Sequence, residues 1–228
     1  MPRRSCWPAF TALVASVVLA EPYAQFPGPT IDGDTLRIKQ KVEDIYASGN
    51  YGRALLIYEK ELAPQGDKYA QYMTGYMHLN GQGVTADSAA ALAWYRLAAE
   101  RGEPKFIEAR DQLAATLDEA ERARAAEVFA DLWERHGDRR ILLDLIDGDI
   151  DVLRESALGG FAGGSSGAGL TAGYSDGGNP YYRRVRAQLE ERLAWLDTMP
   201  EDPAGVDSAK LDDREADLRR ELEELERP

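Results

Sequence analysis

The sequence predicts an all-α protein: a short α/α solenoid of helix pairs, then a Gly-rich linker and C-terminal helices. Three observations predict this fold. Apolar residues recur at helical spacing through residues 36–146, and again through residues 181–196. Turns that contain glycine separate the helices of the first stretch. Between the two stretches, residues 159–178 consist largely of glycine among serine and alanine, a composition typical of a flexible linker.

Residues 1–20 have the pattern of a secretory signal peptide. Arg3 and Arg4 form a short positive segment, an apolar run follows, and Ala20 supplies a small residue at the cleavage position. The run is shorter than the roughly 20 apolar residues of a membrane span, although an uncleaved anchor is the alternative. The sequence therefore predicts cleavage near Ala20, a periplasmic or secreted chain, and no integral membrane span in the mature protein.

Composition restricts the class of partner. The chain carries 40 acidic against 27 basic residues and a formal net charge of −13. Such a balance argues against a nucleic-acid partner, because phosphate contacts need clustered Lys and Arg. Cys6 is the only cysteine and precedes the apolar run, so the mature chain is expected to have no disulfide and no lipid anchor. Residues 21–35 are rich in proline and glycine and predict an extended lead-in.

The clearest helix pair begins near residue 69. Its first helix places five apolar residues on one face: Tyr69, Tyr72, Met73, Tyr76 and Met77. Gly81 and Gly83 interrupt this helix. Asp87 is placed to cap the second helix, and Gly102 to end it in the left-handed conformation. Two helices of this length cannot bury their apolar faces alone, so the pair predicts neighbours of the same kind.

This pair resembles a Sel1-like repeat, a relative of the tetratricopeptide repeat, over residues 70–102. The repeat-defining positions are Gly75, Tyr76, Gly81, Gly83, Val84, Asp87, Ala91, Trp94, Tyr95, Ala98, Ala99 and Gly102. The resemblance implies a solenoid with a concave face, of the kind found in exported bacterial proteins. It also implies a non-enzymatic protein-interaction module, an adaptor or scaffold of the cell envelope, with no catalytic, cofactor or metal site.

Degenerate copies of the repeat are predicted on both sides. Upstream, Ala54 and Tyr58 occupy the positions of Ala91 and Tyr95. A downstream copy is expected to cap the solenoid, because Trp133 is too bulky for the alanine position that it occupies. Residues 140–158 could add a further short helix pair, with Gly148 between its helices. The predicted solenoid therefore spans residues 36–158, followed by a linker at 159–180 and a charged helical tail at 181–228.

Catalytic and metal-binding patterns are weak. His78 and His136 belong to different repeats, and neither has a second histidine or a cysteine at metal-ligand spacing. Asp147, Asp149 and Asp151 resemble part of a calcium loop, but the glycine and glutamate that such a loop requires are missing. Asp149 is expected to cap a helix. A cell-wall enzyme would need paired carboxylates, a nucleophile with its base, or a metal cluster, so this class is the weaker alternative.

Candidate partner contacts lie in two places. The aromatic residues of the best repeat are expected to be mostly core. Polar neighbours expected to be exposed are the better candidates: Gln71, Asn80, Gln82 and Arg96. A second group opens the C-terminal helices, where aromatic and arginine side chains favour binding: Tyr181, Tyr182, Arg183 and Arg184. These tyrosines could instead pack against their own helix.

The C-terminal segment leaves two further alternatives open. Leu211, Leu218 and Leu225 recur every seven residues, which favours either a short coiled coil or a solvated helix with a weak apolar edge. If the tail docks on another protein, the chain is a regulatory or accessory subunit of an envelope enzyme or secretion machine. The sequence names no partner beyond another protein.

Overall fold

The computed structural model describes residues 26–29, 33–157, 180–199, 202–203 and 205–226. The predicted signal peptide at 1–20 lies outside the described residues. So do most of the lead-in at 21–35 and all but the last residue of the linker predicted at 159–180. The boundaries of these segments stay predictions.

The described part of the chain is helical and contains no strand, which confirms the predicted all-α fold. A π-helical turn and a 3-10 turn, Tyr58–Leu62 and Ala63–Gln65, extend α2, and a 3-10 turn, Ala99–Arg101, extends α4. The helices are α1 (Gly33–Ala47), α2 (Tyr51–Ile57), α3 (Lys68–Asn80), α4 (Ser88–Ala98), α5 (Pro104–Ala114), α6 (Glu119–His136), α7 (Asp138–Ala157), α8 (Pro180–Asp197) and α9 (Ala209–Glu226).

The boundaries of α3 and α4 follow from local chemistry. The Asp67 carboxylate accepts a hydrogen bond from the Ala70 amide at 2.9 Å, and Asp87 accepts one from Ala90 at 2.9 Å. Each cap satisfies an amide that the first turn of a helix leaves unpaired. Gly81 ends α3 with φ of 66° and Gly102 follows α4 with φ of 78°. The predicted cap at Asp87 and the left-handed terminator at Gly102 are therefore confirmed.

The helix pairs pack against one another around several apolar clusters. α1 packs on α2, α3 on α4, and α4 also contacts both α5 and α6. The apolar cluster that contains Trp94 of α4 continues through Phe129 and Trp133 of α6 into α7, α8 and α9. The C-terminal helices thus share a core with the repeats.

α7 corrects two expectations. A helix pair broken at Gly148 was predicted here, but α7 runs unbroken through that residue. Glycine inside a helix costs only about 1 kcal/mol relative to alanine, and Ile146 and Ile150 on either side are almost completely buried. The predicted capping role of Asp149 is also wrong, because it lies in the middle of the helix and forms an ion pair with Arg192 of α8.

α7, α8 and α9 combine a leucine seam with ion pairs. Leu211 and Leu218 of α9 are buried in the shared core, and Leu225 packs against it. The heptad leucines therefore pack within the molecule, and the solvated-helix alternative is wrong for their face of α9. On α7, Arg139 reaches three carboxylates: Asp202 at 2.6 Å, Asp212 at 2.7 Å and Glu215 at 2.9 Å.

A short segment before α1, residues 26–29, contacts both the repeats and α8, and we call it the strap. The Phe26 ring lies under the Arg101 guanidinium at 3.9 Å and meets the Trp195 ring edge-on at 5.2 Å. The Pro27 carbonyl accepts a hydrogen bond from Arg192 Nε at 3.1 Å. The strap therefore contacts the end of α4 and the last turns of α8 together.

Candidate protein-binding surface

The best repeat is held together by close helix contacts that its small residues allow. A Cβ on Gly75 of α3 would lie 2.7 Å from the Tyr95 ring and 3.1 Å from the Ala91 carbonyl oxygen. Ala91, Ala98 and the Trp94 indole are buried on the facing helix. A larger residue at position 75 would push α3 and α4 apart.

The turn between α3 and α4 is equally restricted. Gly83 has φ of 79°, and a Cβ there would lie 2.7 Å from the backbone of Tyr51 and Gly52 at the start of α2. The Tyr46 hydroxyl of α1 donates a hydrogen bond to Gln82 Oε1 in the same turn, at 2.9 Å. Gly83 and Gln82 thus hold the turn between α3 and α4 against the preceding helix pair.

Five half-buried tyrosines run across α1, α2 and α3, and we call this surface the tyrosine face. Its members are Tyr46, Tyr51, Tyr69, Tyr72 and Tyr76. The rings of Tyr46 and Tyr51 are 5.2 Å apart, and Tyr72 stacks on the buried Tyr95 at 5.2 Å. Tyr72 also contacts Phe106 of α5 at 5.3 Å, so the face reaches the third helix pair.

Burial disfavours ionisation of three tyrosines of the tyrosine face. Burial raises the pKa of Tyr46, Tyr69 and Tyr72, and the Glu43 carboxylate raises the pKa of Tyr46 and Tyr69 further. Glu43 also accepts a hydrogen bond from the Tyr58 hydroxyl at 2.7 Å. The face therefore offers apolar ring surface with neutral polar tips, a combination favoured in protein interfaces.

The four polar residues predicted as partner contacts on the repeat differ in their exposure to solvent. The prediction that Gln71 is exposed is wrong, because its side chain is fully buried and its amide nitrogen donates to the Ala63 carbonyl at 3.1 Å. Gln82 and Arg96 are half-buried, with the Arg96 guanidinium 3.8 Å above the Phe129 ring. Asn80 is exposed, and its amide donates to the Tyr76 carbonyl at 2.8 Å.

The second predicted group lies at the start of α8, which packs on α7. Tyr181 is 48% exposed, whereas Tyr182 is half-buried with its ring 5.4 Å from that of Tyr181. Arg183 and Arg184 are exposed. This group is separate in the chain from the tyrosine face, and its role as a partner contact stays a prediction.

The two histidines serve the packing of the described structure. Burial lowers the pKa of both His78 and His136, and the charge of Arg135 lowers that of His136 further. The His136 ring stacks on Trp94 with 6.0 Å between ring centroids. Among the described residues, no group of three or more His, Cys, Asp or Glu side chains could hold a metal ion.

Sequence reasoning missed a buried charged network between the repeats and α7. Lys68 Nζ contacts Glu100 at 2.6 Å and Asp138 at 3.0 Å, and Arg101 binds Asp138 through two nitrogens at 2.8 and 2.7 Å. Burial alone would raise the pKa of Asp138, but the two cations outweigh it and hold that pKa below its usual range. Lys68 also donates to Gln71, which explains why that amide is buried. The signal in the sequence that could have indicated this network is a polar residue, Gln71, near the apolar face of α3.

The comparisons with known proteins agree with the α3–α4 pair. Residues 68–103 match the family model of the Sel1 repeat. Searches of curated proteins and of solved structures found no match to the chain. Sel1 repeats generally serve as protein–protein interaction modules, and proteins of this family are typically non-enzymatic. No helix in the described part of the chain combines the length and apolar character that crossing a bilayer requires. Helices α3 and α4 therefore form a Sel1-like repeat within the chain.

Proposed function

We propose that this protein is a non-enzymatic adaptor of the bacterial cell envelope that binds another protein through the tyrosine face. The tyrosine face is the observation that supports this most directly. Five half-buried aromatic residues share one surface of the α1–α3 region, and contiguous aromatic surface of this kind is typical of interaction sites. Tyrosine supplies a large contact area at low conformational-entropy cost.

The location in the envelope rests on the segment that precedes the fold. Residues 1–20 carry the signal-peptide pattern, and the mature chain would begin near residue 21. The proposed location is periplasmic or extracellular. The absence of cysteine beyond Cys6 means that neither compartment would challenge the fold through oxidation.

A second candidate is a regulatory or accessory subunit that docks through α8. The 48% exposure of Tyr181, beside two exposed arginines, favours it. In this case the repeats would position the C-terminal helices, and the partner would contact Tyr181 and Arg184 in place of the tyrosine face.

Quantitative pull-down from envelope extracts separates the two candidates. The mature chain, a Tyr51→Ala/Tyr76→Ala variant and a Tyr181→Ala/Arg184→Ala variant serve as baits, after circular dichroism has verified that each is folded. A tyrosine-face partner is enriched by the mature chain and the α8 variant but reduced about tenfold or more by the Tyr51/Tyr76 variant. The reverse pattern would transfer the function to α8. A partner held equally by all three baits would overturn both candidates.

A further inference from the structure

A cavity lies where the repeats meet the C-terminal helices. It has a volume of about 700 Å³, within the range of pockets that hold ligands. The end of α6, the first turn of α7 and the start of α9 form its walls, so an occupant would touch the last repeat helix and the C-terminal helices together. Its lining residues are Asp131, Glu134, Arg135, His136, Arg140, Lys210, Leu211 and Arg214.

Among the lining residues cationic side chains outnumber carboxylates, and Asp144 and Asp147 of α7, behind the wall, pair with Arg140 and Arg214. Four cationic side chains line the cavity against two carboxylates, whereas the chain carries a net charge of −13. His136 adds a ring whose pKa is lowered by burial, and therefore a neutral hydrogen-bonding wall at pH 7. Because charges are screened beyond about 8 Å at physiological salt, the local cations act on an occupant more strongly than the distant acidic surface.

Each lining cation except Arg135 has a carboxylate partner in the described structure, but in the pairs Arg140–Asp144 and Lys210–Glu134 both side chains are more than a third exposed. Among the described residues Arg135 has no carboxylate partner, since its guanidinium donates to the Asp131 carbonyl at 3.0 Å. Lys210 pairs with Glu134 at 2.5 Å, but the two side chains are 79% and 45% exposed. Exposed pairs of this kind contribute little to stability, so an incoming carboxylate can take the place of Glu134 at low cost.

Leu211 adds an apolar floor beneath these charges, since it is 4% exposed and belongs to the shared core. A cationic rim over an apolar floor fits a side chain that carries a carboxylate on a short methylene stem. Glutamate-rich peptide has this chemistry at every residue. Nucleic acid fits less well, because its many phosphates would extend from the cavity over an acidic surface.

We propose that this cavity, at the junction of α6, α7 and α9, binds an acidic peptide segment of the partner protein. The proposal rests on the adaptor function and extends it, because the partner would be recognised at a second site away from the tyrosine face. Arg135 would hold its carboxylates together with Arg140, which would exchange its exposed partner Asp144, 3.3 Å away, for the ligand. Arg214 reaches Asp144 at 2.5 Å and Asp147 at 3.0 Å, so it positions α9 as well as the cavity wall.

Fluorescence anisotropy with a labelled octaglutamate peptide tests the proposal on the full mature chain. The cavity variant is Arg135→Gln/Arg140→Gln. The matched control, Arg37→Gln/Arg220→Gln, also removes two arginines, each paired among the described residues with a carboxylate three residues away on its own helix. We expect the cavity variant to weaken binding about tenfold or more, and the control to change it less than about twofold. Octalysine and a Gly-Ser peptide should not bind.

Four results of the peptide assay would overturn the proposal. These are no binding of octaglutamate to the mature chain, equal loss in the cavity and control variants, unchanged binding by the cavity variant, and displacement of the peptide by an equimolar oligothymidine strand. The last result would assign the cavity to nucleic acid. A partner lost on mutation of the tyrosine face but kept by the cavity variant would leave the adaptor function standing and remove only this second site.

Discussion

The repeats and the C-terminal helices solve the same packing problem with different residues. α3 and α4 approach closely through Gly75 and buried alanines, and their contact depends on the small size of these residues. α7 and α9 meet through buried leucines framed by ion pairs, with Arg139 reaching three carboxylates. The first kind of contact is intolerant of added volume, whereas the second depends on ionic strength and on charge pairing. The comparison therefore predicts which substitutions each region tolerates.

The largest effect is expected from added volume in the repeat. Gly75→Leu would place a side chain against the Tyr95 ring and the Ala91 backbone, so the free energy of unfolding should fall by about 3 kcal/mol or more. Chemical denaturation measures it. Gly148→Ala on α7 is the control, because a Cβ there meets nothing within 4 Å, and it should raise stability by about 0.5–1 kcal/mol. Equal effects at the two glycines would mean that the regions do not differ in packing.

Breaking the buried ion pair between α7 and α8 comes next. Asp149→Ala leaves Arg192, a residue that is 6% exposed, with the carbonyls of Pro27 and Leu145 as its remaining acceptors among the described residues. Stability should fall by about 2–3 kcal/mol, because an uncompensated buried charge is costly. The double variant Asp149→Leu/Arg192→Met should recover much of this loss. If the double variant loses as much stability as the two single variants added together, packing rather than charge explains the contact.

A smaller effect is expected where α9 meets α7. Arg139→Gln removes three ion pairs at a side chain that is 13% exposed, and should lower stability by about 1 kcal/mol. Hydrogen exchange locates the effect: amides of α9 should exchange faster, while those of α3 and α4 stay unchanged. Adding 1 M NaCl to the unmodified chain should produce the same pattern more weakly. Uniform acceleration across all helices would show that the two regions unfold as one unit.

The smallest effect concerns pH and belongs to the repeats. His78 and His136 have pKa values lowered below 6.5 by burial, so below pH 6.5 the unfolded chain binds more protons than the folded one. The stability from these groups is complete above pH 6.5 and is lost as pH falls toward their lower folded pKa values. The melting temperature of the parent should therefore fall as the pH is lowered from 7.5 to 5.5. In a His78→Gln/His136→Gln variant this fall should be about 2 °C smaller. An identical drop in both chains would contradict this assignment.

Local features of the fold were predictable from the sequence, and tertiary ones were not. The caps of α3 and α4 depend on residues within one turn, so the roles of Asp87 and Gly102 can be predicted from the local sequence. The continuity of α7 depends on what packs against Ile146 and Ile150, and a single glycine pattern cannot reveal that. Asp149 was misassigned for the same reason, because its partner Arg192 lies on another helix.

The candidate surface shows the same division. Helical spacing placed Tyr69, Tyr72 and Tyr76 on one face of α3, but it could not show that their rings stay half-buried after α1 and α5 pack beside them. Gln71 was expected on the surface because amides are mostly exposed. Its burial requires Lys68 beside it and the Ala63 carbonyl from the preceding helix pair. The Ala63 carbonyl belongs to the preceding helix pair, so the alternation of polar and apolar residues within α3 cannot identify it.

The strap has a consequence for the order of folding. Its hydrogen bond from Arg192 to Pro27 spans 165 residues, and closing a loop of this length is entropically unfavourable until both ends have been brought near by other contacts. The helix pairs and the leucine seam must therefore form first, and the strap docks on a nearly complete molecule. Its docking makes Trp195 a reporter of the last step, because the indole meets Phe26 only after α8 has reached the repeats. A slow change in tryptophan fluorescence that disappears in a Phe26→Ala variant would identify this final closure during refolding.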